Sequence, residues 1–193
     1  MQQATSTFAL IDRIRNGDSA AFSPLFEKYR RRLAVLAHYR IAPELRARIE
    51  TDDVLQEVFA RAFHDIGNFS YREPGAFLRW LSRIMDHVIA DMARFEGRQK
   101  RRAEAIVRFR SDSNPEGPDP VDTRTPTKLL AEKEDLLALL EKLNSLPNDY
   151  RDVIIWTKIE CLSTGEVAER LGKSREATAL LLHRALKRFR SLQ

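Results

Sequence analysis

Apolar residues recur at helical spacing along most of the chain. Phe22, Leu25, Phe26, Tyr29 and Leu33 share one helix face, and Val54, Leu55, Val58, Ala62 and Ile66 share another after Thr51. Phe77, Trp80, Leu81, Ile84, Met85, Val88 and Met92 form a third stripe after Pro74. Thr51 reads as a side-chain cap, followed by Asp52 and Asp53 at the positive end of the helix dipole. Asp53, Gln56, Glu57, Ala60 and Arg61 lie toward the polar face of that helix. The basic flank from Arg30 to Arg32 reads as solvated. No stretch alternates with the period of a strand, and glycine occurs only seven times. The expected fold class is therefore all-α.

The pattern breaks between Ser111 and Thr127, where Pro115, Pro118, Pro120 and Pro126 stand among Ser, Asn, Asp and Thr. Such a segment has almost nothing to bury and reads as a flexible linker. Two small helical domains are expected on either side, over residues 8–103 and 128–193, joined by a linker over 104–127.

The last third predicts two short helices with a tight turn. Ser163 and Glu166 have the spacing of a capping box, and Gly172 follows the last apolar residue of the first helix, Leu171. Ser174 can cap the second, where Thr178, Leu181, Leu182, Ala185, Leu186 and Phe189 make one continuous stripe. The other face presents Arg175, Glu176, Ala179, Leu180, His183, Arg184, Lys187 and Arg188, whose polar members can reach phosphates and base edges. A plain helical hairpin with a solvated charged face is the bland alternative. Ala168 favours a helix-turn-helix, because a small residue permits the close crossing. Leu146-Pro147 starts a further helix whose Tyr150, Val153 and Ile154 complete a small core.

Composition adds a weak preference for a polyanionic partner: 33 basic against 28 acidic residues give a formal charge of +5. A local basic segment carries Arg94, Arg98, Lys100, Arg101, Arg102, Arg108 and Arg110, with a solvated helix end as the alternative. Cys161 is the one cysteine, which excludes an intramolecular disulfide and a cysteine cluster for zinc. Met1 to Phe8 lacks the blocks of a signal peptide, and no apolar run approaches membrane-spanning length. A cytoplasmic protein without a membrane span is expected.

Candidate chemistry is sparse. Asp52, Asp53 and Glu57 could be metal ligands or an acid and base, but dipole stabilisation already accounts for acids in a first turn. Gly172-Lys173-Ser174 lacks the strand and the first glycine of a phosphate-binding loop. His38, His64, His87 and His183 are scattered, and Cys161 has no neighbouring base in sequence. No catalytic residue, cofactor or metal is expected. The loop Phe69-Ser70-Tyr71-Arg72-Glu73-Pro74-Gly75 can hold unstacked bases against aromatic faces. Phe77 and Trp80 read as core, Tyr71 as functional.

With these pieces placed, the chain resembles the extracytoplasmic-function group of bacterial sigma-70 factors. Asp52-Asp53-Val54-Leu55-Gln56-Glu57-Val58-Phe59 is similar to the family's region 2.2. The resemblance implies that Asp52, Asp53, Gln56, Glu57 and Phe59 meet the clamp helices of core RNA polymerase. Phe77-Leu78-Arg79-Trp80-Leu81-Ser82-Arg83-Ile84 resembles regions 2.3 and 2.4. By implication Phe69, Ser70, Tyr71, Arg72, Arg79, Arg83 and His87 contact the −10 element, and the loop captures a flipped base. Ser145 to Ile154 and the helix-turn-helix resemble region 4, which binds the polymerase flap. That implies −35 contacts from Ser174, Arg175, Glu176, Thr178, Ala179, His183, Arg184 and Lys187. Promoter DNA and core polymerase are the implied partners, with an anti-sigma factor as a further one that the resemblance allows. Two departures stand out: Ala179-Leu180 where many relatives have a basic and a small polar residue, and His87 where Asn is usual.

The function implied is a promoter-specificity subunit that performs no chemistry and lends promoter recognition and opening to the polymerase. A stand-alone helix-turn-helix regulator would instead show a ligand pocket or a self-complementary face and bind a palindrome. A nucleic-acid enzyme built on Asp52, Asp53 and Glu57 would need bound metal.

Overall fold

The computed structural model describes residues 6–71, 73–106 and 126–192, with only the helical path described for 99–106 and 126–130. Arg72 and most of the expected linker, 107–125, lie outside the described residues, as do the side chains of Lys100, Arg101 and Arg102. Every element among the described residues is helical.

The first half holds α1 (Thr7–Arg15), α2 (Phe22–Arg40), α3 (Thr51–Asp65) and α4 (Ala76–Ile106). The three apolar stripes expected from the sequence meet in one core of Leu25, Leu33, Leu36, Val54, Leu55, Val58, Phe77, Leu81, Met85 and Val88, joined by Leu10 and Ile11 from α1. Burial of each such side chain is worth roughly 1.5–3 kcal/mol before entropy is counted. Helix α3 starts differently from the expectation. Its cap position is Glu50, Thr51 is already helical, and no side chain closes the cap.

The second half holds α5 (Pro126–Asn144), α6 (Asn148–Ile154), α7 (Thr164–Leu171) and α8 (Arg175–Ser191). Leu140, Leu143, Leu146, Val153, Ile154, Val167 and Ala185 form its core. Pro147 sits at the cap of α6, one residue ahead of the first helical position. Both flanking helices enter the stretch expected as linker: α4 runs to Ile106, through a helix-favouring Arg-Arg-Ala-Glu-Ala run, and α5 opens on Pro126. No described helix is long and apolar enough to cross a membrane.

The halves are packed on one another through α2. Leu33 to Ala37 are buried without a break, because Leu33 and Leu36 serve the first core while Val35 serves the second. A helix buried all round reads apolar all round. Around that seam Tyr39 Oη donates to Asn144 Oδ1 at 2.8 Å, and the Arg151 guanidinium lies 5.5 Å from the Tyr39 ring centroid. The flank Arg30 to Arg32 is solvated at Arg31 and Arg32, as expected, and half-buried at Arg30. Arg30 donates to Asp52 of its own half at 2.9 Å, while exposed Arg31 and Arg32 reach across to the second half, to the Asp135 carbonyl at 3.4 Å and to Cys161 Sγ.

At the centre of the junction is a buried carboxylate. Glu160, 6% exposed, accepts from Arg40, from Ser82 Oγ at 3.2 Å and from Arg170 at 3.5 Å. A carboxylate that deep persists only with such partners. It follows a single π-helical turn, Ile155–Ile159, that continues α6. Cys161 then takes φ 60°, a left-handed conformation that costs a non-glycine residue about 1–2 kcal/mol. Its carbonyl accepts from Arg79 Nη1 at 3.0 Å, which ties this turn to α4.

Candidate nucleic-acid interface

Three surfaces carry the expected site residues. On α3, Asp53 and Gln56 are exposed and Glu57 is half-buried. Glu57 accepts from Arg61 at 2.6 Å, Arg61 also donates to Asp91 at 2.8 Å, and Asp91 accepts from Arg94 at 2.7 Å. The hydrogen bonds that Arg61 donates to Asp91 and Glu57 raise its pKa, and the bond from Arg61 lowers that of Asp91. Beside this network runs a shallow groove of about 410 Å³, lined by Ile49, Asp53, Glu57, Met92 and Phe95 among others. Its rim carries both signs, Asp53, Glu57, Asp91 and Glu96 beside Arg48, Arg61 and Arg98, around the exposed Phe95. Asp52 stands apart from the exposed pair, held by Arg30 and 3.8 Å from Lys133. Phe59 packs inward at 4.0 Å from the Phe26 ring. Among the described residues no three His, Cys, Asp or Glu side chains converge as metal ligands would.

On the α3–α4 loop the aromatic residues divide. Phe69 is 6% exposed, its ring 5.3 Å from Phe77 and 5.0 Å from Trp80. It belongs to the core, and its expected place against DNA is corrected. Phe77 is buried as expected, and Trp80 is partly buried against the same core. Tyr71 is half-buried, edge-on to Phe8 at 5.9 Å, and Ser70 is exposed. Gly75 has φ +84°, and a Cβ there would fall 2.9 Å from Cys161 Cβ, so the loop can approach the second half only through a glycine. Arg79 is engaged by the Cys161 carbonyl and by Glu73. Arg83 and His87 are exposed along α4.

The third surface is α8, and its local geometry follows the sequence closely. Ser163 Oγ accepts the Glu166 N–H at 3.3 Å while Glu166 accepts the Ser163 N–H at 2.7 Å, completing the capping box of α7. Gly172 ends α7 at φ 62°, and Ser174 Oγ caps α8 through the Ala177 N–H at 3.1 Å. Ala168 is buried. Ser174, Arg175, Glu176, Ala179, His183, Arg184 and Lys187 are all exposed. Thr178 is not: it is fully buried and its hydroxyl donates to the Ser174 carbonyl at 2.9 Å, so it leaves the DNA-facing set.

Glu166 titrates below the usual carboxylate range because the Ser163 hydroxyl, and then the Ser163 N–H, bond its charged form. A lowered folded pKa means that the stabilisation is complete above the unfolded value, about 4.3, and is lost as pH falls through the lower folded value. The protection of α7 amides, taken relative to the intrinsic exchange rate at each pH, should therefore fall selectively in acid. Ser163→Ala should cost about 1 kcal/mol and weaken that acid sensitivity, leaving the part that the retained backbone N–H supplies, both readable by hydrogen exchange.

Residues that sequence reasoning missed are those of the junction. Arg40 and Glu160 are separated by most of the chain, and the only local clue to Glu160 is a charge set between Ile159 and Cys161.

The whole chain finds known relatives. Residues 4–191 match the family described as ECF sigma factor. An ECF RNA polymerase sigma-E factor from Haemophilus influenzae is 27% identical over 169 residues, which cover 88% of this chain and 85% of that one. The ECF RNA polymerase sigma factor SigE of Mycolicibacterium smegmatis is 32% identical over 153 residues, 79% of this chain and 55% of that longer protein. The solved structure of CnrH in complex with the cytosolic domain of CnrY is 26% identical, covers 95% of this chain and 94% of that one, and has a TM-score of 0.44. The chain belongs to the ECF sigma factor family and is a sigma subunit of RNA polymerase that directs transcription initiation.

Proposed function

We propose that the three surfaces divide the work of initiation. The α3 face, through Asp53, Gln56 and Glu57 with the adjoining groove, docks on core polymerase. Ser70, Tyr71, Arg83 and His87 meet the −10 element, and the capped α8 reads the −35 duplex through Ser174, Arg175, Glu176, Ala179, His183, Arg184 and Lys187. The observation that carries this reading is the exposed and largely cationic face of α8, opposite a stripe buried at Thr178 and Ala185 and half-buried at Leu181, Leu182, Leu186 and Phe189, on a helix fixed at its start by a cap. Arg79 joins the −10 set once the second half moves off it, whereas Asp52 stays tied to Arg30 of its own half and loses only Lys133. Contact of Arg79 with DNA therefore competes with its bond to the Cys161 carbonyl.

The docking assignment has a direct test. Asp53→Ala with Gln56→Ala removes two exposed side chains, so the melting curve should hold within about half a kcal/mol. Core affinity should fall roughly tenfold, equivalent to about 1.4 kcal/mol. Unchanged affinity together with an unchanged melt contradicts the assignment.

A further inference from the structure

The outward stripe of α8 contains one large apolar side chain. Leu180 is 49% exposed, whereas Thr178 and Ala185 are fully buried. With about 100° between successive residues of an α-helix, the direction opposite that buried line is held by Glu176, Leu180, His183 and Lys187 on successive turns. Leu180 therefore sits midway along the stripe that projects farthest from the motif. Ala179 beside it is exposed and small, so the helix backbone can come close to whatever faces it.

The surroundings define the partner. Arg175, Arg184, Lys187 and Arg188 are exposed around the same stripe, and Glu176 is the one acid on this face of α8. Hydrogen bonds from its own backbone N–H and from Ser174 hold Glu176 in its charged form at the helix start. A cationic rim fits a phosphate backbone on both sides of a groove. Leucine can neither donate nor accept a hydrogen bond, so at the floor of that groove it can read only an apolar group. The major-groove edge of DNA offers one such group, the 5-methyl of thymine. We propose that Leu180, with Ala179 leaving room, reads a thymine methyl in the −35 duplex and sets a thymine preference at one base pair. The proposal rests on the reading of α8 as the −35 helix.

The test uses the holoenzyme formed from core polymerase and the full chain. Random duplex upstream of a fixed −10 element is selected for binding, and each thymine of the enriched element is then replaced by deoxyuridine, which removes the methyl alone. One replacement should weaken binding about fourfold, the worth of one methyl group at about 0.8 kcal/mol. Leu180→Ala should lose a similar factor on the thymine duplex and nothing more on the deoxyuridine duplex, with core affinity unchanged. An enriched element without thymine overturns the proposal. So does insensitivity to every deoxyuridine, or a deoxyuridine effect that persists in Leu180→Ala. Loss of core affinity in Leu180→Ala also overturns it, because Leu180 then faces the polymerase. Arg184→Ala separates this from the broader reading. If it weakens upstream binding while Leu180→Ala does not, only the methyl contact fails; if neither does, α8 is not the −35 helix.

Discussion

Arg40→Ala is expected to destabilise the packed chain by roughly 3–5 kcal/mol, the cost of leaving a buried carboxylate without its main partner. Glu160 would keep only the Ser82 hydroxyl and an Arg170 contact at 3.5 Å, too little to hold a charge that is 6% exposed. Arg40 also spans to Asp86 and to the Ser82 carbonyl, so its loss loosens α4 as well as α6. The effect should appear first as parting of the two halves. Trp156, packed on both cores and 5.5 Å from the Arg170 guanidinium, is the natural fluorescence reporter. Arg40→Met with Glu160→Leu should recover most of the loss, because an apolar pair of similar volume needs no desolvation. A single variant that melts like the original chain, with unchanged Trp156 emission, would contradict the role given to this contact.

Gly75→Ala is expected to be the next most severe change, for two independent reasons. Its φ of +84° lies where an alanine is strained, and the added Cβ would stand 2.9 Å from Cys161 Cβ. Backbone strain of this kind costs of order 1–3 kcal/mol. The clash can be relieved only by moving the α3–α4 loop away from the Cys161 turn, which breaks the Arg79 bond to the Cys161 carbonyl. The variant should thus lose stability alone while keeping, or gaining, access of Arg79 to single-stranded −10 DNA. Calorimetry gives the first quantity and binding of a single-stranded −10 oligonucleotide to the holoenzyme the second. A stable Gly75→Ala chain with unaltered amide exchange around Arg79 would show that the loop does not need its glycine.

Much of this was legible in the sequence, where the determinants lie within one or two turns of each other. The α7–α8 pair is the clearest case. Ser163 with Glu166, Gly172 and Ser174 specify both caps and the turn by local hydrogen bonding, and each appears as expected. The stripes of α3 and α4 were equally plain, since one face of each helix meets one core. Phe69 was misplaced because it lies in a loop with no period, and only its ring contacts with Phe77 and Trp80 show that it is core. Thr178 falls on the apolar stripe yet reads as polar by type; its buried hydroxyl is satisfied by the Ser174 carbonyl four residues back. The junction was not legible at all. Arg31, Arg32, Arg40 and Glu160 look like ordinary surface charges until the fold brings residues more than a hundred positions apart together, and no pattern within a helix reports that. The same cause explains Val35 and Tyr39, which look like surplus apolar residues on α2 until the second core is seen to use them.

The measurement that bears most directly on the whole account is the mapping of initiation sites on genomic DNA fragments by core polymerase with and without this chain. New start sites are expected only in its presence, with a shared sequence upstream. They should be lost in Asp53→Ala with Gln56→Ala, and weakened at the upstream element in Arg175→Ala and Arg184→Ala. Start sites that are the same with and without the chain, or that survive all of these variants unchanged, would contradict it.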